Sequence, residues 1–243
     1  MTTYIDIVTG FLESGKTTFA NELLQSSLLD EFEEIVLLIC EEGFTEYEEE
    51  KLSALQIRTV RLENREALND ELFSGLEAEY HPDYILVEYN GTWDISDLLG
   101  LKIPLEYKFR NVVFVSNAGS FRNQLGNMAA VMQPHILNSD LVVFNRFENM
   151  QPQMQKKLAG DIKNINPRTK AVFVGKIETD SILKEHFMSF SNPENTRLNF
   201  NMNVKAGIFL TICFALLVLY ELSGTYDFVQ SVVKVSREEL PRV

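Results

Sequence analysis

Cysteine and basic charge are both scarce in this chain. Of its 243 residues only two are cysteines, and Cys40 and Cys213 each lie in an apolar run, outside any C-x-x-C spacing. We therefore predict two buried thiols rather than a disulfide framework or a zinc site. The 22 lysines and arginines are outnumbered by 35 aspartates and glutamates, which gives a formal net charge of -13. Because a nucleic-acid backbone requires a basic surface, we expect no nucleic-acid partner.

The first residues also lack a basic segment followed by an apolar stretch. We therefore expect no secretory signal, and we expect the N-terminal part of the chain to lie in the cytosol. Internal repeats and low-complexity tracts are absent too, which argues against a solenoid or a disordered chain. What is present is 45% hydrophobic residues, enough to bury the core of one domain of ordinary size.

The most informative stretch is residues 10–18, which reads GFLESGKTT and matches the phosphate-binding pattern G-x-x-x-x-G-K-[ST]. In such a loop backbone N–H groups surround the phosphates, the lysine reaches the β- and γ-phosphates, and the hydroxyl holds Mg²⁺. Residues 4–8 predict a buried strand before the loop and residues 18–29 a helix after it, which is the context that the motif requires. We therefore predict that a nucleoside triphosphate with Mg²⁺ binds at Gly10, Glu13, Ser14, Gly15, Lys16, Thr17 and Thr18.

An acidic partner for this loop is predicted at Glu88, which ends the apolar run 84–87. A carboxylate at the carboxyl end of a strand beside the phosphate loop is in the position of a Mg²⁺ ligand. We predict that Thr17 and Glu88 bind the metal and that both act with Lys16 in catalysis. Gly91 follows three residues later, and we expect its backbone to lie near the γ-phosphate and to move when that phosphate leaves.

Apolar runs that read as strands alternate with helical patterns along residues 4–174. Such alternation predicts an α/β fold, a P-loop NTPase whose mostly parallel, doubly wound sheet occupies residues 1–188 and binds its ligand at the carboxyl ends of the strands. Within it, residues 41–50 hold six glutamates. We interpret this block as a solvated helix face, with a cation-binding carboxylate cluster as the alternative.

The character of the chain changes after residue 188. Residues 189–203 are polar and predict a linker, whereas residues 204–222 are apolar on all sides and carry charge only near their ends. This length is close to the roughly 20 residues that cross a bilayer, so we predict one transmembrane helix, with a buried or subunit-interface helix as the alternative. Residues 223–243 form a short tail. We expect a cytoplasmic domain anchored to the cell membrane, or else a cytoplasmic protein.

Several stretches together resemble the CobW/HypB/UreG family of GTPases, most closely its CobW-like branch. The loop is similar to G-F-L-[GE]-[SA]-G-K-T-T, and residues 84–91 resemble an apolar strand followed by E-x-x-G. Residues 113–121 resemble V-V-D-A…F, with asparagine at 117 where aspartate is usual. Residues 139–148, SDLVVFNRFE, resemble the guanine-recognition stretch A-D-x-x-x-x-N-K-x-D, and Asn-Pro at 166–167 follows it. The resemblance covers residues 4–175.

The resemblance implies GTP and Mg²⁺ as ligands, slow hydrolysis, nucleotide-dependent homodimerisation and often delivery of metal to a client. It assigns Asn145 and Glu148 to the guanine base. The chain departs from the family pattern because Arg146 and Glu148 replace lysine and aspartate, and because the usual C-x-C-C motif is missing around residues 62–66. Thiolate binding of zinc is excluded there, which leaves a hard-cation role for Glu63 and Glu66 as a hypothesis. We expect the linker and the apolar segment to take the place of the family's usual C-terminal domain.

These features favour a membrane-tethered GTPase that acts on a membrane partner, such as a transporter or permease subunit, and that has a role in metal homeostasis. Two alternatives stay open. One is a regulatory subunit that senses nucleotide without hydrolysing it, and the other is an assembly NTPase that uses ATP.

Overall fold

Seven strands form one fully parallel sheet in the computed structural model, which describes residues 2–40, 47–175 and 187. Their spatial order is β3-β2-β4-β1-β5-β6-β7, so β1 lies at the centre. The bounds are β1 Thr3–Thr9, β2 Ile35–Ile39, β3 Arg58–Arg61, β4 Tyr84–Glu88, β5 Tyr107–Asn117, β6 Leu141–Asn145 and β7 Lys170–Phe173. The predicted parallel α/β sheet is therefore confirmed.

Six α-helices cover the sheet in the described part of the chain: α1 Lys16–Leu24, α2 Glu49–Ala54, α3 Leu72–Tyr80, α4 Ile95–Leu99, α5 Phe121–Leu137 and α6 Pro152–Ile165. Successive side chains of the inner strands point to opposite faces, and both faces are buried. Leu37 and Leu86 pack in the cluster that contains α1, whereas Leu38 and Val87 pack in the cluster that contains α3 and α4. Burial on both sides explains why β2, and β4 as far as Glu88, are apolar at every position rather than at alternate ones.

The helix predicted at residues 18–29 ends earlier than expected. α1 ends at Leu24, and residues 27–29 form a separate 3₁₀ turn. Helix α3 begins only at Leu72, since two asparagines upstream use their side chains to hold a different backbone. Asn64 Oδ1 accepts from the Ala67 N–H at 3.1 Å, and Asn69 Oδ1 accepts from the Glu71 N–H at 3.0 Å. Such local side-chain bonds compete with helical ones.

β5 begins at Tyr107, well before its apolar run at residues 112–115, and its first half lies beside a buried polar group. Asp6, in the middle of β1, accepts hydrogen bonds from the Arg110 guanidinium at 2.6 and 3.1 Å, from Asn111 and from the Tyr84 hydroxyl. Asp6 and Arg110 are 0% and 2% exposed. The guanidinium also lies 5.2–5.6 Å from the ring centres of Tyr4, Phe32 and Tyr84. A charged pair is tolerated in this core because the guanidinium meets the carboxylate with two hydrogen bonds and the carboxylate accepts further bonds from Asn111 and Tyr84.

Some predictions fall outside the described residues: the first part of the glutamate block, and everything assigned to residues 189–203, 204–222 and 223–243. Those assignments stay predictions. Within the described ranges, no helix has both the length and the apolar character needed to cross a bilayer. Glu48, Glu49 and Glu50 are exposed at the start of α2, as expected of a solvated helix face.

Candidate functional site

The loop between β1 and α1 has a backbone that only glycine allows at two points. Gly10 has φ +150° and Gly15 has φ +92°. A Cβ on Gly10 would lie 2.1 Å from the Val115 carbonyl oxygen, and one on Gly15 would lie 2.6 Å from Asn145 Nδ2. The loop is therefore pressed against β5 and β6, and its end leads directly into α1 at Lys16, where the helix N-terminus favours an anion.

Lys16 is 5% exposed, and its Nζ donates to the Phe11 carbonyl at 3.2 Å, so the ammonium group lies over the loop. Ser14 is 2% exposed, and its Oγ has no hydrogen-bond partner among the described residues. A buried hydroxyl without a partner costs about 1–3 kcal/mol, which a ligand oxygen would recover. Glu13 and Thr18 are exposed at the rim of the loop and in the first turn of α1.

Glu88 meets the loop from the neighbouring strand, because β4 pairs with β1 in a register that sets Glu88 opposite Val8. Its Oε1 accepts from the Thr17 hydroxyl at 2.6 Å. Its Oε2 accepts from the Tyr47 hydroxyl at 2.5 Å. The structure thus brings together the two side chains that the sequence assigns to the metal.

Tyr47 is a member of this site that the sequence analysis missed. It lies within the glutamate block of residues 41–50, and nothing in that block indicates that one aromatic residue turns inward to Glu88. Burial, with the Glu88 charge second, raises the pKa of the Tyr47 hydroxyl well above its usual value. The phenol therefore remains a hydrogen-bond donor to Glu88 at any physiological pH.

Gly91 lies against the phosphate loop itself. A Cβ added to Gly91 would lie 1.8 Å from the Gly10 carbonyl oxygen and 3.2 Å from the Phe11 Cα. No side chain fits there without displacing one of the two loops. Gly91 was predicted to lie near the phosphates, and its backbone lies against the loop that would bind them.

Asn145, at the end of β6, joins the site from the other side. Its Nδ2 donates to the Ser14 carbonyl at 2.8 Å, and its Oδ1 is buried without a partner in the described part of the chain. Glu148 is exposed in the turn that follows β6. The amide therefore fixes the loop, while the carboxylate faces solvent.

His135 is a second residue that the sequence analysis missed. It lies in the last turn of α5 and is 1% exposed, with one ring nitrogen 2.8 Å from Thr9 Oγ1 and the other 3.0 Å from the Trp93 carbonyl oxygen. Burial lowers the pKa of His135 to about 4. A single histidine on an amphipathic helix gives no sequence signal that distinguishes it from an ordinary core residue.

Metal-binding clusters outside the phosphate site are not found among the described residues, in which no three His, Cys, Asp or Glu side chains converge. Glu63 and Glu66 are exposed, and they gain no support as cation ligands. Cys40 is buried, as predicted, and Cys213 lies outside the described ranges.

A glycine-rich loop between a central parallel strand and a helix, with Lys16, Thr17 and a strand-end carboxylate around it, defines the class of P-loop nucleotide-binding proteins. The family model described as "CobW/HypB/UreG, nucleotide-binding domain" matches residues 4–173. The chain belongs to the CobW/HypB/UreG family of P-loop GTPases, as the resemblance predicted.

Solved structures agree on the fold. The hydrogenase maturation factor HypB from Archaeoglobus fulgidus is 17% identical with a TM-score of 0.56, and the match covers 79% of this chain and 90% of that one. Zinc-bound YjiA GTPase from E. coli is also 17% identical with a TM-score of 0.56, over 77% of this chain and 62% of its own. The cell division protein FtsY from Thermotoga maritima is 16% identical with a TM-score of 0.51, over 77% and 68%. No curated protein shows significant sequence similarity to this chain.

Proposed function

We propose that the protein binds GTP with Mg²⁺ and hydrolyses it slowly. The observation that carries this proposal is the Thr17–Glu88 hydrogen bond of 2.6 Å at the N-terminus of α1, one residue from the buried Lys16. A hydroxyl and a carboxylate so placed are the hard oxygen donors that Mg²⁺ prefers. The unpaired buried oxygen atoms of Ser14 and Asn145 also fit a site that a polar ligand completes.

Lys16 and the backbone N–H groups of residues 10–18 would stabilise the negative charge that spreads over the phosphate oxygens during transfer. Thr17 and Glu88 would hold Mg²⁺, which neutralises charge on the β- and γ-phosphates. Gly91 presents backbone rather than a side chain to the same place, so its loop can approach a γ-phosphate closely. The protein would contribute positioning and electrostatic stabilisation rather than covalent chemistry.

Guanine selectivity is proposed to depend on Asn145 and Glu148. A carboxylate can accept from the two guanine N–H groups that adenine does not offer in the same arrangement. Glu148 is one methylene longer than the aspartate of the family pattern, and its exposed position leaves it free to adjust. Replacing it with glutamine removes the charge at constant size, so Glu148→Gln is expected to reduce the preference for GTP over ATP.

Multiple-turnover phosphate release from GTP and from ATP tests the proposal on the full-length protein. Lys16→Ala is expected to abolish phosphate release. Lys170→Ala serves as the matched control, since Lys170 starts β7 at one edge of the sheet, whereas the phosphate loop follows the central strand β1. No turnover above the Lys16→Ala level would refute hydrolysis and favour the regulatory subunit that only senses nucleotide. Equal use of ATP would refute guanine selectivity and favour an assembly NTPase.

Membrane attachment through residues 204–222 is a separate proposal, supported by the uncharged apolar run between Lys205 and Glu221. A cytoplasmic domain on such an anchor would act on a membrane partner, for which a transporter or permease subunit is our candidate. The intact protein is expected to sediment with membranes, and a chain that ends at Asn203 is expected to remain in the supernatant. Recovery of the intact chain without detergent would refute the anchor.

Homodimerisation and metal handling are proposed by analogy with the family alone. A dimer is expected to form with a GTP analogue and to dissociate with GDP, which light scattering during gel filtration would detect. One of the similar structures is a zinc-bound GTPase. This chain has no cysteine or histidine at residues 62–66, so a metal bound there would be held by the carboxylate oxygens of Glu63 and Glu66.

A further inference from the structure

Thr9, His135 and Trp93 form a hydrogen-bonded chain beside the phosphate loop, and the proposed function assigns none of them a role. Thr9 ends β1 immediately before Gly10, and its Oγ1 lies 2.8 Å from His135 Nδ1. His135 Nε2 lies 3.0 Å from the carbonyl oxygen of Trp93, two residues beyond Gly91. Because Thr9 and His135 are 0% and 1% exposed, water does not compete for the bond between them.

The partners determine which ring nitrogen carries the proton. A carbonyl oxygen can only accept, so His135 Nε2–H donates to Trp93, and Nδ1 then accepts from the Thr9 hydroxyl. Burial lowers the pKa of His135 to about 4, and the nearby Lys16 charge lowers it too, against the opposing effects of the Trp93 bond and of Asp94. The ring is therefore neutral near pH 7 and keeps one fixed donor and one fixed acceptor.

Other hydrogen bonds fix the end of α5 through its backbone and leave the imidazole untouched. Ser139 Oγ donates to the His135 carbonyl at 2.7 Å, and Asn166 Nδ2 donates to the Leu137 carbonyl at 2.9 Å. The Tyr89 and His135 rings also lie with their centres 6.2 Å apart. The loop of residues 89–94 is thus tied to a helix end that is itself anchored to the following segments.

We propose that His135 is a positioning residue that latches the loop of residues 89–94 against the phosphate loop, where Gly91 would meet a γ-phosphate. The inference rests on the proposed function, because it requires that a triphosphate occupies the site. His135 is bonded to Thr9 and Trp93 and is not among the residues assigned to the phosphates or the base, so it would act only through the position of the loop. One neutral hydrogen bond corresponds to a factor of about five in such an equilibrium.

Trp93 is the chain's single tryptophan, so its fluorescence reports directly on this loop. We would measure the affinity of the full-length protein for GDP and for a non-hydrolysable GTP analogue by calorimetry with Mg²⁺, together with Trp93 emission in each complex. His135→Leu is expected to weaken analogue binding about fivefold and GDP binding less than about twofold. The difference in Trp93 emission between the two complexes is expected to shrink. His135→Gln, which offers one donor and one acceptor, should retain the wild-type ratio.

Ser139→Ala is the control for a merely structural role, since it removes a buried hydrogen bond from the same helix end without touching the imidazole. It should leave the ratio of the two affinities unchanged. If His135→Leu does not fold, Thr9→Val removes the hydroxyl at the other end of the hydrogen-bonded series without changing the shape of the side chain. It should also weaken binding of the GTP analogue selectively.

Three outcomes would overturn the latch. These are equal losses of affinity for the two nucleotides in His135→Leu, an unchanged ratio of the two affinities in both His135→Leu and Thr9→Val, and the same selective loss of analogue affinity in Ser139→Ala. Failure of the wild-type protein to bind either nucleotide would instead overturn the proposed function, and the latch with it.

Discussion

The buried neutral His135 makes a specific prediction about stability in mild acid. Its pKa is lowered from 6.5 to about 4 by burial, with Lys16 adding to the shift and Asp94 opposing it. Below pH 6.5 the unfolded chain therefore binds a proton that the folded protein does not, so the free energy of unfolding falls as the pH falls. At about 1.4 kcal/mol per pKa unit, the full effect is about 3 kcal/mol, of which about 1.4 kcal/mol is lost between pH 7.5 and pH 5.5.

Urea unfolding of the nucleotide-free protein, followed by Trp93 fluorescence at pH 7.5 and pH 5.5, measures this loss. The lower pH stays above the isoelectric point of about 4.7. His135→Gln has no proton to gain, so its loss should be smaller than that of the wild type by about 1.4 kcal/mol. Other groups titrate equally in both proteins and cancel in the comparison. If the two proteins lose the same stability, His135 is not buried in the neutral form and the reasoning is refuted.

Three further substitutions test the site and the core. Tyr47→Phe removes the hydroxyl that donates to Glu88. A hydrogen bond to a charged group contributes about 1.5–3 kcal/mol, so the Mg²⁺ concentration for half-maximal turnover should rise at least about tenfold. An unchanged Mg²⁺ concentration would contradict the assigned role of Tyr47. Gly91→Ala places a Cβ 1.8 Å from a phosphate-loop carbonyl, so GTP turnover should fall while GDP still binds, and wild-type turnover would show that the loops do not meet as described. Asp6→Asn leaves the Arg110 charge buried without its partner and should lower the free energy of unfolding in urea by about 3–5 kcal/mol, whereas a loss below about 1 kcal/mol would mean that water reaches the pair.

The sequence predicted those parts of the fold that are encoded locally. A strand buried on both faces reads as a continuous apolar run, and the phosphate loop carries its glycines, lysine and hydroxyl at fixed spacing, so each can be recognised without knowing its neighbours. The first half of β5 was missed because Arg110 and Asn111 look like loop residues until Asp6 is placed beside them. Tyr47 and His135 were missed for the same reason, since the contact between Thr9 and His135 spans 126 positions.

The order of the strands explains why the phosphate loop is held from two directions. β1 lies between β4 and β5, and β6 follows β5, so the loop after β1 meets residues from β4 on one side and from β5 and β6 on the other. Glu88 reaches it from the first side, and Asn145 from the second. The loop of residues 89–94 starts on the β4 side, but through Trp93 it is bonded to His135 at the end of the helix that follows β5. A movement of this loop would therefore change its contacts both with the phosphate loop at Gly10 and with the helix end at His135.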